Sequence, residues 1–211
     1  MVDQEANKEK RTRLLVLPVV SLGIAYLLLL GYLLWGKSLG LTSATAASLT
    51  PTPVDLWDAY ELAWAAAQAE APDAQLVSAS TQWQAVSEDA LLEGAGSWTL
   101  VFYSPQSSQV LDVVVNDDVA RVLNRTQAWV VPLALTEDNW RTGPRDALPA
   151  FLACGGRTFL DEHPEAVVDL HLTEDSRGGA VWSIVALDLG SHALLSVVVD
   201  AETALVVSDS L

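Results

Sequence analysis

The chain has 211 residues, with 11 basic side chains, 27 acidic ones, eight tryptophans and one cysteine. Beyond Lys37 it holds six arginines, no lysine and 24 carboxylates, a net of −18. Such a surface repels phosphate backbones and excludes nucleic acid as a partner. It also repels anionic headgroups, so cations and basic protein surfaces are its natural electrostatic ligands.

The first 13 residues form a short tail holding Lys8, Lys10, Arg11 and Arg13. Leu14 to Trp35 reads LLVLPVVSLGIAYLLLLGYLLW, 22 residues without a charge. At about 1.5 Å per residue this covers the hydrocarbon core of a bilayer. The expected span is 14–36, with Arg13 and Lys37 as brackets and Tyr32 and Trp35 as interfacial aromatics. Basic charge gathers before it, which puts the N-terminus in the cytoplasm and everything after it outside. Ala44-Thr45-Ala46 has the form of a signal-peptidase site. The apolar run is too long for a signal peptide, however, and the site lies too far beyond its end. The segment reads as an uncleaved signal anchor. Residues 37–54, rich in Ser, Thr, Gly and Ala, read as a linker.

A first unit is expected over 55–136. Thr52 as N-cap, Pro53 at N1 and Asp55 at N3 open a helix that Pro72 ends. Within it Leu56, Ala59, Tyr60, Ala63 and Ala67 keep helical spacing, and Trp57 and Trp64 widen the apolar face. Strands are predicted over Leu76–Trp83, Trp98–Tyr103, Val110–Val115 and Val119–Leu123, with Glu88–Gly96 as a loop. Ala128–Leu135 reads as an edge strand because of Pro132.

A second unit is expected over 137–211. Arg145 to about Glu162 is mainly helical, interrupted by Pro149 and Gly155-Gly156, and Pro164 ends it. Strands follow over Val167–Leu172, Val181–Leu187, Leu194–Val199 and Ala204–Val207. A shift of 84 residues lays Trp98 on Trp182 and Val113–Val115 on Val197–Val199. This predicts an α+β fold of two repeated units, each a helix packed on its own small antiparallel sheet.

Trp182–Val185, Leu194–Val199 and Asp200-Ala-Glu-Thr203-Ala204-Leu-Val-Val207 resemble the PepSY domain, which ends in an Asp-x-x-Thr-Gly turn and a valine-rich strand. Ala204 stands where that family has glycine, a departure at a turn where alanine tolerates positive φ poorly. The resemblance reaches the first unit through the repeat, with Asn116 for the Asp and Val119 for the Thr. It implies a cystatin-like, helix-on-sheet fold on a membrane anchor of the bacterial envelope. It also implies regulation of partners, with no catalytic residues to carry over.

The residues themselves point the same way. His163, His171 and His192 are the only histidines, and none has HExxH or zinc-finger spacing. Asp169 and His171 lie two apart on one strand face and could bind a metal with His163. The ordinary alternative is a solvated face with Val168, Leu170 and Leu172 turned to the core. Ser191-His192 are adjacent in a hairpin loop and make no dyad. The pairs Asp117-Asp118 and Asp161-Glu162 sit where solvated acids are common. Gly155-Gly156 lacks the Lys-Ser/Thr of a phosphate loop. Cys154, beside Leu152 and Ala153, reads as a buried structural thiol. No catalytic, cofactor-binding or metal site is expected, and no cofactor.

Trp57, Tyr60 and Trp64 form a stripe that a helix on a small sheet would bury, although aromatics also dominate binding hot spots. The expected function is a single-pass, membrane-anchored extracytoplasmic module. It would bind or regulate another envelope or membrane protein, without catalysis. The alternative is an accessory structural subunit of a larger membrane complex. An enzyme or metal carrier ranks third.

Overall fold

The computed structural model describes residues 52–136, 138–175 and 178–210. The expected tail, the span and all but the end of the linker lie outside the described residues. Among the described residues no helix is long and apolar enough to cross a membrane.

The elements run α1 (Leu56–Glu70), β1 (Gln75–Gln84), α2 (Glu88–Glu93), β2 (Ser97–Ser104), β3 (Gln109–Asn116) and β4 (Val119–Gln127). Then come α3 (Pro144–Phe151), a wide helical turn (Leu152–Gly156), α4 (Arg157–Glu162), β5 (Val167–Glu174), β6 (Ala180–Asp188), β7 (Ala193–Asp200) and β8 (Val206–Ser210). All eight strands join one antiparallel sheet in the order β4-β3-β2-β1-β5-β6-β7-β8.

This corrects the expected α+β arrangement of two repeated units with separate sheets. β1 and β5 are hydrogen-bonded neighbours from Ala79↔Leu172 to Gln84↔Val167. Two sheets would have left those strands as exposed edges with unpaired N–H and C=O groups, and joining them satisfies both rows. Within the one sheet, Trp98 pairs with Val115 and Trp182 with Val199, positions 84 apart in both strands.

One face of the sheet carries the core. Trp98, Leu100, Phe102, Leu111, Val113, Leu170, Leu172, Trp182, Ile184, Leu195 and Val197 alternate inward and are buried. α1 turns Leu56, Ala59, Ala63 and Ala67 onto it. The three alanines let the helix lie close to the strands, because they add contact without bulk. The core indoles of Trp83, Trp98 and Trp182 donate to the carbonyls of Gly94, Val54 and Thr142 at 2.9, 3.0 and 3.1 Å. A buried indole N–H needs such a partner.

Three local expectations change, and the interruption expected in the 145–162 helix falls at its glycine pair and not at Pro149. Asp55, not Thr52, caps α1 by accepting from Trp57 N at 2.9 Å. Val54 is held extended by its N–H to Ala95 O, and its carbonyl takes the Trp98 indole. The helix therefore starts three residues later than Thr52-Pro53 suggested. Glu88–Glu93 is a short helix capped by Ser87 instead of a loop. Ala128–Leu135 is irregular. β4 already closes the sheet there, so this segment leaves the edge and is tied back by Leu135 N to Leu76 O. The 145–162 helix is cut at Cys154 and Gly155, where φ reaches +101° at Gly155. Gly156 is required next, since a Cβ there would lie 2.7 Å from Phe151 O. Cys154 is half-buried and free.

The turn that resembled PepSY keeps its form without glycine. Asp200 Oδ1 accepts from Glu202 N, Thr203 N and Thr203 Oγ1 at 3.0, 2.8 and 2.8 Å. Ala204 sits at φ +57°, the left-handed conformation expected of the missing glycine.

Candidate functional site

Three places bring functional side chains together. The first is on α1. The stripe read as core lies on the flank of the helix, with Tyr60 and Trp64 packed against the edge of the core, because the sheet takes the alanine stripe. Trp57 is 41 % exposed, and Tyr60 and Trp64 are half-buried. Trp140, from the chain between β4 and α3, packs against them. Its ring stacks on Trp57 at 4.4 Å and 11°, and meets Tyr60 edge-on at 5.6 Å. Trp64 leans on Tyr60 at 5.9 Å and on Phe102 at 6.0 Å. Aromatic pairs favour these offset and edge geometries, which hold the rings rigid.

What remains is an open groove of about 470 Å³ lined by Trp57, Tyr60, Glu61, Trp64 and Trp140. Among the described residues the indole N–H groups of Trp57 and Trp64 make no hydrogen bond, unlike those of the core tryptophans. The stripe at 57, 60 and 64 was legible in the sequence. Trp140 was missed, because nothing local links it to a helix so far away.

The second place is the sheet face opposite the helices, which no described helix covers. Asp169 and His171 lie there, while Val168, Leu170 and Leu172 are buried on the other side. Gln82 Nε2 donates to Asp169 Oδ1 at 2.8 Å. Ser80 faces Thr99 on one side and His171 on the other. These residues floor a trough of about 520 Å³. Partial burial of the imidazole lowers the His171 pKa from its ordinary 6.5, against the pull of Asp169. His163 is not near this pair, so the three-residue metal set considered from sequence does not assemble. Among the described residues no group of three or more metal-binding side chains converges.

The third place is the β6–β7 loop. His163 Nδ1 lies 2.9 Å from Asp188 Oδ2, and Ser191 Oγ donates to the same oxygen at 2.6 Å. Ser191 Oγ is 3.3 Å from the same Nδ1. These are the residue types of a nucleophilic triad in the wrong geometry. A relay needs serine on one ring nitrogen and the carboxylate on the other. Here both contacts use Nδ1, and the serine proton points at the carboxylate. The Ser191 hydroxyl, then the Gly190 N–H and His163, hold Asp188 down to about pKa 2. The cluster is a loop clamp. Sequence reasoning set the adjacent Ser191-His192 aside as no dyad, and missed the partners that the fold brings to Ser191 from the end of α4 and from β6.

No family model matches the chain, so the PepSY resemblance rests on its short turn-and-strand motif. No curated protein matches it either. A crystal structure of a protein from Clostridium difficile 630, provisionally named a lipoprotein, superposes on 75 % of this chain and 93 % of its own, with 13 % identity and a TM-score of 0.46. That is a loose likeness of shape, and it assigns no family and no function.

Proposed function

We propose that this chain is a membrane-anchored extracytoplasmic interaction module that binds another envelope or membrane protein without catalysing a reaction. The observation that carries this reading is the aromatic groove. Four rings and a carboxylate line an open cleft, and their mutual packing fixes them before any partner arrives. Pre-organised tryptophan and tyrosine surfaces lose little side-chain entropy on binding, which is why they dominate interface energetics. Glu61 and the surrounding net negative charge favour a partner segment that is basic as well as apolar.

The test is co-purification from detergent-solubilised native membranes with the intact chain and with Trp57→Ala and Trp64→Ala. Both positions lie off the alanine stripe, and circular dichroism and the urea midpoint of each variant check that it is folded before the comparison is made. The expected result is a stoichiometric partner that each substitution removes or weakens at least about tenfold, as hot-spot truncations do. A partner retained at full yield by the double variant overturns the groove as the docking site.

A further inference from the structure

A second surface has a different chemistry. From Val119 to Thr136 the chain runs for 18 residues without a single Asp or Glu, in a molecule whose part beyond Lys37 carries 24. The only charges there are Arg121 and Arg125. The segment comprises edge strand β4 and the irregular chain after it. Val119 and Leu123 are exposed on β4, and Trp129, Val130, Val131 and Leu133 are exposed beyond it. Exposure in the second group runs from 95 % at Trp129 to 59 % at Leu133. Consecutive solvated apolar side chains of this size are avoided on a soluble surface unless something covers them.

The shape points to the cover. These side chains project from a sheet edge and the loop leaving it. Arg121 is exposed with no ion pair among the described residues, and Arg125 pairs with Glu70. Asp112 approaches from β3, held by Asn124, and Asp117 and Asp118 lie at the opposite end of β4. An exposed tryptophan with valines and leucine beside arginine is the chemistry of a bilayer interface. The indole sits at headgroup level, the aliphatic groups reach the acyl boundary and the guanidinium meets phosphate.

We infer that the β4 edge and the Trp129–Leu133 loop seat against the surface of an anionic bilayer. The inference rests on the reading of 14–36 as a membrane span. A tether turns a weak surface affinity into an intramolecular one. The residues between Lys37 and Pro53 can extend about 50 Å, longer than a nine-residue strand at about 30 Å, so the length of the chain allows it. The net negative charge of the rest of the domain opposes general adhesion. Contact is thereby favoured where exposed apolar side chains and the free guanidinium of Arg121 lie together.

The experiment uses the full chain carrying Cys154→Ser and Val131→Cys, spin-labelled at position 131. It is reconstituted into vesicles of phosphatidylcholine alone, or with one part phosphatidylglycerol to two parts phosphatidylcholine. In the anionic vesicles the label should become accessible to oxygen and shielded from a water-soluble nickel chelate. Arg121→Gln should lower the seated-to-free ratio about fivefold, the effect of one basic residue near an anionic surface. In parallel, brominated lipid should quench the unlabelled wild-type chain more than Trp129→Ser, which covers the case in which the cysteine variant misfolds. A label that stays in water in both vesicles, with equal quenching of wild type and Trp129→Ser, overturns the inference. So does a label buried from both oxygen and nickel, which marks a protein partner. A chain that an alkaline wash strips from the vesicles overturns the anchor reading instead.

Discussion

Among the described residues, five other than glycine hold positive φ: Ala85, Ser108, Asp117, His192 and Ala204. A side chain in that region clashes with its own backbone, at about 1–2 kcal/mol. Glycine removes the clash but adds freedom to the unfolded chain, worth about 0.4–1 kcal/mol in the other direction. Ala85 is exposed, so its methyl contributes no packing. Ala85→Gly is expected to raise stability by about 0.5 kcal/mol, read as a higher urea midpoint, whereas at Ala204 the methyl packs against the core and its loss offsets the gain. Gly156→Ala should lower stability, by about 1–3 kcal/mol, since its methyl would meet the Phe151 ring and carbonyl.

Acid sensitivity also belongs to single residues. Asp188 has a folded pKa of about 2 against an ordinary 3.8. A depressed carboxylate contributes stability that is fully present above the unfolded value and is lost as pH falls through the folded one. Asp73, held by Gln106 N–H and Ser104, and Asp200, held by Thr203, shift in the same direction. The urea midpoint should therefore fall between about pH 4 and pH 2. Asp188→Asn should be less stable than wild type at pH 7 and show a shallower fall in acid. Equal slopes would remove Asp188 from the account.

At the scale of elements, the two equivalent tryptophans decide how the sheet is held. Trp98 on β2 and Trp182 on β6 are fully buried, and each ties a strand to the chain leading into a helix, Val54 before α1 and Thr142 before α3. Each replaced by alanine should cost about 3–5 kcal/mol, the range for large core aromatics. A loss under about 1 kcal/mol at either would contradict its place in the core. The interruption between α3 and α4 was legible in Gly155-Gly156. The capping of α1 by Asp55 was not, because Val54 is drawn into pairing with Ala95, and no reading of neighbouring residues shows that bridge.

For the whole molecule, the β1–β5 ladder makes the two halves share one sheet. Denaturation of the eight-stranded part should be a single transition that Trp98→Ala and Trp182→Ala each shift as a whole. Two separable transitions, one moved by each substitution, would mean that the ladder does not couple them. Topology is tested at the same scale. A reporter fused after Leu211 should be active only outside the cytoplasm, with the chain at full mass in membranes. A mature N-terminus at Ala47 would identify the apolar run as a cleaved signal.

Local chemistry accounts for what could be read from the amino acids alone. Alternating valines and tryptophans placed β1–β3 and β5–β7 to within a residue or two, since period-two burial is written in the strand itself. Prolines 72 and 164 marked helix ends because the residue before proline is driven out of the helical region. The alanine stripe at 59, 63 and 67 was visible too. Which stripe of α1 meets the sheet was not: Trp57 and Trp64 outweigh alanine in hydrophobicity, yet only alanine lets the helix approach. The single sheet, Trp140 against Trp57, and His163 with Asp188 and Ser191 all join residues far apart in the chain. Backbone groups at strand edges seek any satisfying partner, and the tertiary structure alone decides that β1 finds β5.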